Sequence, residues 1–137
     1  MKITTSLIVI LLLISSCTNT TESKQESPSM NQTEAVQKQL RHIVLFKFKA
    51  TAAAADIQKV ESAFAALPSK IKEIKDFEWG LNNSPEGLNK EFTHCFFVTF
   101  ESEADRAIYL PHPDHQAFVG LLDPILEDVL VIDYWAK

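Results

Sequence analysis

From residue 41 onward the apolar positions change period several times, and each change marks an element. His42-Ile43-Val44-Leu45-Phe46-Lys47-Phe48-Lys49 is dense in β-branched and aromatic side chains and ends in strict alternation, which predicts a strand. Alternation gives one side of it to His42, Val44, Phe46 and Phe48 and the other to Ile43, Leu45, Lys47 and Lys49. The period then lengthens. Asp56 is placed to cap a helix whose Ile57, Val60, Phe64 and Leu67 recur at three, four and three residues, one apolar stripe, and Pro68 limits its regular run. Residues 77–81 alternate as a second strand, and Asn82-Asn83-Ser84-Pro85-Glu86-Gly87 is turn chemistry. Residues 92–100 form the plainest strand, with His94, Phe96, Val98 and Phe100 on one face and Thr93, Cys95, Phe97 and Thr99 on the other.

Ser102 with Asp105 resembles a capping box and starts a short helix through Tyr109, which the prolines at 111 and 113 end. Asp114 is placed to cap a further helix carrying Phe118, Leu121 and Leu122 inward, interrupted at Pro124, and residues 129–135 read as the last strand. The order β-α-β-β-α-β is that of a ferredoxin-like α+β unit with the helices on one sheet face. The other face, with Ile43, Leu45, Cys95 and Phe97, is also apolar, and burying it against a second copy of the chain is the simplest solution, hence a homodimer.

The first forty residues follow other rules. Met1-Lys2 precedes a wholly apolar run from Leu7 to Ile14, too short for a spanning helix, which needs roughly 20 apolar residues. It ends in Ile14-Ser15-Ser16-Cys17, a pattern that resembles the lipobox of bacterial lipoproteins and predicts a leader over 1–16 and lipid on Cys17. Residues 17–40 are rich in Ser, Thr, Asn, Gln, Glu and Lys, a tether that cannot bury enough surface to fold and that leaves the domain at 41–137. Thr18 follows the cysteine, which favours an outer-membrane address facing the periplasm.

Composition changes the picture little. Apolar content of 46% is globular and argues against wholesale disorder. Eighteen acidic against 13 basic residues give a net charge of −5 without a basic cluster, which argues against nucleic acid as a partner. With Cys17 taken by lipid, Cys95 has no disulfide partner, and its place among aromatics in a strand reads as an inert buried thiol.

Several segments together carry a resemblance: His42 to Lys49, Trp79-Gly80, Thr93-His94 with Val98-Thr99-Phe100-Glu101-Ser102, Tyr109-Leu110-Pro111-His112-Pro113-Asp114-His115, and Asp133-Tyr134. In this order they resemble the stress-responsive α/β barrel (Dabb) family, of which His-Pro-x-His after a Tyr is the most specific piece. The resemblance implies a small dimeric α+β barrel. One plant branch includes a polyketide cyclase that works without metal or cofactor, and its acid and base positions fall on Tyr109 and His115. Its strand-one histidine falls on His42, its pocket positions on Val44, Phe46 and Phe96, and an aromatic of its first helix on Phe64, which lacks a hydroxyl. His112 is counted with the ligand-binding set.

Tyr109 and His115 make chemical sense as a pair, because the first turn of a helix disfavours imidazolium and leaves a neutral ring as base. The blander reading makes His112 and His115 turn residues bonded to backbone and Tyr109 a core residue. All four histidines lie in the domain, yet His42 and His94 start antiparallel neighbouring strands and so sit at opposite ends of the sheet, too far apart to share a metal ion. Three functions stay open: a lipid-anchored dimer binding a small apolar or aromatic compound in a pocket lined by His42, Val44, Phe46, Phe64, Phe96, Tyr109 and His115; a cofactor-free enzyme using Tyr109 and His115; and a structural or stress-protective oligomer without ligand.

Overall fold

A computed structural model describes residues 38–137. The leader expected at 1–16, the lipid expected on Cys17 and the expected tether as far as residue 37 lie outside the described residues. The chain runs β1 (Leu40–Phe48), α1 (Ala54–Ala66), a 3₁₀ turn (Leu67–Ser69), β2 (Asp76–Leu81), β3 (His94–Phe100), α2 (Glu103–Tyr109), α3 (Pro113–Val119) and β4 (Leu126–Trp135). The four strands form one antiparallel sheet in the order β2-β3-β1-β4. This is the ferredoxin-like arrangement, with the second helical segment split in two by Pro111-His112-Pro113.

The helix layer rests on the face that carries Leu40, Val44 and Phe46 of β1 and Phe96, Val98 and Phe100 of β3, all buried together with Val60, Phe64, Leu67 and Tyr109. The stripe of α1 therefore faces the sheet as its spacing predicts. Phe64 is the centre of an aromatic cluster, with ring centroids 4.4 Å from both Phe96 and Phe118.

Two helix starts differ from expectation. Helix α1 begins at Ala54, so Asp56 lies inside its first turn, where it pairs with Lys59 at 2.8 Å and favours the positive helix end. Helix α3 is capped by His112, whose ring accepts from the Asp114 backbone N–H at 3.2 Å, with Pro113 at the first helical position. Imidazole is a rare cap, and a sequence rule that looks for Ser, Thr, Asp or Asn passes over it. The Ser102 cap is as expected, accepting from Asp105 N–H at 3.1 Å. Leu121 is 40% exposed and Leu122 buried, because the chain turns at Gly120 and no longer presents successive leucines to the core.

Helices α2 and α3 have seven residues each, α2 closing ahead of Pro111 and α3 opening at Pro113 and closing at Gly120, and this shortness matters. The helix layer does not extend fully over β4, where Val129 and Val131 are 45% and 48% exposed on the helix side. On the opposite face Ile43 pairs with Ile132 and Phe97, and Leu45 with Leu130 and Cys95, and no helix covers them. Cys95 lies on this open face, partly buried rather than enclosed, and burial and the nearby Glu78 carboxylate raise its pKa, so the thiol stays protonated.

Candidate functional site

Between the short helices and the β1–β4 half of the sheet lies a cavity of about 680 Å³. That size falls within the range of small-molecule sites, roughly 300–1,000 Å³. Strand β1 contributes His42, Val44 and Phe46, and register sets them beside Asp133, Val131 and Val129 of β4. Phe64 of α1, Arg106 and Tyr109 of α2, and His115, Phe118 and Val119 of α3 close it from the helix side, with Leu122 and Asp123 beyond.

The polar groups gather where β1 and β4 meet α2. His42 Nδ1 lies 3.0 Å from Asp133 Oδ1, and since a carboxylate only accepts, that nitrogen carries the hydrogen. Arg106 pairs with the same oxygen at 3.1 Å. The His115 ring packs 4.2 Å from the Tyr109 ring, centroid to centroid, and the His42 ring meets Tyr109 edge-on at 5.9 Å. His115 Nδ1 donates to the Leu110 carbonyl at 2.9 Å. The neutral tautomer of both histidines is thus fixed from behind, with Nε2 as the position of its lone pair.

Tyr109 is fully buried, and its hydroxyl has no hydrogen-bond partner. Buried hydroxyls are nearly always paired, because leaving one unpaired costs about 1–3 kcal/mol. Burial also pushes its pKa far up, so it stays a neutral donor. Burial is the main cause that lowers the pKa of His115, partly offset by the bond to Leu110 and aided by His42 and His112.

This sets the sign of one pH effect. A histidine with a depressed folded pKa takes up its proton more readily in the unfolded chain, whose value is about 6.5. Its contribution to stability is therefore present above that value and lost as pH falls through the folded one. Unfolding midpoints measured between pH 7.5 and 5 are expected to fall less steeply for His115→Gln than for the unaltered chain, and equal slopes would reject the assignment.

Of the residues singled out in the sequence, His42, Val44, Phe46, Phe64, Tyr109 and His115 converge on this cavity. Phe96 does not reach it; wholly buried, it lies beneath Phe64 and Phe46 and supports them. His112 does not reach it either, its ring being spent on the α3 cap. Both histidines of the corner do bond backbone, as the bland reading requires, but the unpartnered Tyr109 hydroxyl is not accounted for by packing. Arg106 and Asp133 carry no assignment from the sequence. The signals were there: Arg106 is one turn before Tyr109 on α2, and Asp133 is a lone acid on the side of β4 that bears Val129 and Val131.

His94 lies opposite Phe46 in the register, four residues along β1 from His42 or about 13 Å at the usual rise. It is tied instead to Glu61 at 3.0 Å and Thr93 at 2.8 Å. Among the described residues no three His, Cys, Asp or Glu side chains gather as metal ligands do. A second hollow, about 650 Å³, lies on the open sheet face against Leu45, Cys95, Phe97 and Leu130.

Residues 40–136 match the family model of the stress responsive A/B barrel domain. The chain is 37% identical over 95 residues to the stress-response A/B barrel domain-containing protein HS1 of Arabidopsis thaliana, covering 69% of this chain and 87% of that protein. It is 28% identical over 95 residues to olivetolic acid cyclase of Cannabis sativa, covering 69% and 94%. Among solved structures, a hydroxynitrile lyase from Passiflora edulis superposes with a TM-score of 0.69 at 26% identity, covering 74% of this chain and 95% of that one. A dimeric ferredoxin-like protein of unknown function from Thermobifida fusca superposes with a TM-score of 0.64 at 25% identity, covering 74% and 93%.

Proposed function

The chain belongs to the stress-responsive A/B barrel (Dabb) family, and from that premise we propose that it is a lipid-anchored homodimer whose cavity binds a small apolar or aromatic compound. The observation that carries the binding reading is the unpartnered hydroxyl of Tyr109, a residue lining a largely apolar cavity together with two histidines whose Nδ1 atoms are already bonded. A ligand oxygen placed there relieves an uncompensated buried donor, while the remaining body of the ligand rests on Val44, Phe46, Phe64 and Phe118.

The dimer reading rests on the bare face of the sheet and on relatives described as dimeric. The anchor reading rests on the Leu7 to Ile14 run and Cys17, with Thr18 favouring an outer-membrane position facing the periplasm and the tether spacing the domain from the lipid.

A second reading is favoured by the fixed His115 tautomer: acid–base chemistry on the bound compound without a cofactor. His115 Nε2 would take a proton α to a carbonyl while Tyr109 donates to the carbonyl oxygen, a pairing worth roughly 10²- to 10⁴-fold in rate. Olivetolic acid cyclase and the hydroxynitrile lyase are enzymes among the relatives, so this type of domain can carry catalysis.

The test is a thermal-shift screen of aromatic and polyketide-like compounds on the full-length chain in detergent. A ligand at 100 times its dissociation constant adds about 2.7 kcal/mol to stability. The shift is expected to shrink in Tyr109→Phe and His115→Ala, and any turnover to fall by 10²-fold or more in both. An absence of shift with every compound would turn the reading to a structural oligomer.

A further inference from the structure

The polar end of the cavity has a definite hydrogen-bonding inventory. His42 donates from Nδ1 to Asp133, and His115 donates from Nδ1 to Leu110, so in its neutral form each ring offers only an acceptor, its Nε2, for which the described residues supply no partner. Tyr109 offers an O–H donor with no acceptor. A ligand that satisfies this set must both donate and accept. Carboxylates and simple ketones accept only, so they would satisfy Tyr109 and set their lone pairs against those of the histidines.

The charges agree. The charged side chains lining the cavity are Arg106, Asp123 and Asp133, one cation against two carboxylates, and Arg106 is already paired with Asp133 at 3.1 Å. An anion entering here meets no unpaired cation.

We propose that the cavity selects a neutral hydroxyl compound, an alcohol, phenol or enol on an apolar or aromatic body, over the matching ketone or carboxylate. This rests on the binding reading above and deepens it. The hydroxyl accepts from Tyr109 and donates to His115, whose ring lies nearer to Tyr109 than that of His42 does, and a second hydroxyl on the same body serves His42. Where the compound is a carbonyl tautomer, the enol is the form that fits, which is also the form the acid–base reading would generate.

The experiment measures dissociation constants of 2-naphthylmethanol, 2-acetylnaphthalene and 2-naphthoate for the full-length chain at pH 7.5, from the ligand-induced rise in unfolding temperature against matched micelle blanks. The alcohol is expected to bind about ten- to a hundred-fold more tightly than the other two, the factor that one unmet buried hydrogen bond implies. In His115→Leu the alcohol loses about tenfold and the ketone does not. A ketone or naphthoate that equals or exceeds the alcohol, or a variant that weakens alcohol and ketone alike, overturns this inference and leaves the binding reading standing. Failure of all three to bind removes the binding reading and the selectivity with it. If His115→Leu does not fold, the series on the unaltered chain decides alone.

Discussion

Phe64→Ala is expected to lower the stability of the domain by about 3–5 kcal/mol, the usual cost of truncating a buried phenylalanine in a packed core. The ring is 1% exposed and packs against Phe96 and Phe118 at 4.4 Å, Phe77 at 5.3 Å and Phe46 at 6.2 Å. Its removal strips contact area from four aromatics at once, and these cannot collapse into the gap because β1, β2 and β3 hold three of them in register. A domain of this size has about 5–15 kcal/mol in total, and each kilocalorie corresponds to about 4–8 °C in unfolding temperature. A fall of at least 12 °C follows, measurable by thermal unfolding with a parallel denaturant series. Phe64 also forms part of the cavity wall, so the same substitution enlarges the space and is expected to weaken any aromatic ligand found. A loss below 1 kcal/mol would show that the aromatic cluster does not hold the helix layer to the sheet.

The second large effect concerns the bare face. Ile132 sits opposite Ile43 near the middle of that face and is 44% exposed in the single chain. Leu130 and Tyr134, two residues to either side, are similarly exposed at 42% and 44%. If a second copy covers this face, Ile132→Asp forces an unpaired carboxylate into the interface, at a cost of several kcal/mol per buried site. The twofold symmetry of a dimer applies that cost twice. Association is expected to weaken by at least 10³-fold, converting dimer to monomer at micromolar concentration, as read by sedimentation or by light scattering with the detergent mass subtracted. Because the side chain is half exposed in the single chain, the fold is expected to survive, and far-UV circular dichroism checks this. An unchanged mass would mean that the partner does not sit on this face.

Most of the fold was legible because it rests on local periodicity. The two-residue period of β1 and β3 sorted Val44, Phe46, Phe96 and Val98 from Ile43, Leu45, Cys95 and Phe97, and the structure keeps that division. The stripe of α1 and the cap at Ser102 are local as well. What the pattern blurred were helix starts, where Ala54 and the His112 ring took over from the two aspartates, since a helix begins where tertiary packing lets it and not only where a cap is strongest.

The site was legible in part, for a different reason. His42, Tyr109 and His115 are 67 and 6 residues apart in sequence, and the resemblance, not the periodicity, put them together. By itself the sequence determined which side chains face the helices, where prolines stop them, and that a second apolar face remains. Only the tertiary structure decided that Asp133 reaches His42 and Arg106 reaches Asp133, that Phe96 and His112 do not reach the cavity, and that the Tyr109 hydroxyl is left without a partner. Those facts depend on strand register and on how far two short helices extend over β4, and both are set by packing between segments distant in the chain rather than by any window along it.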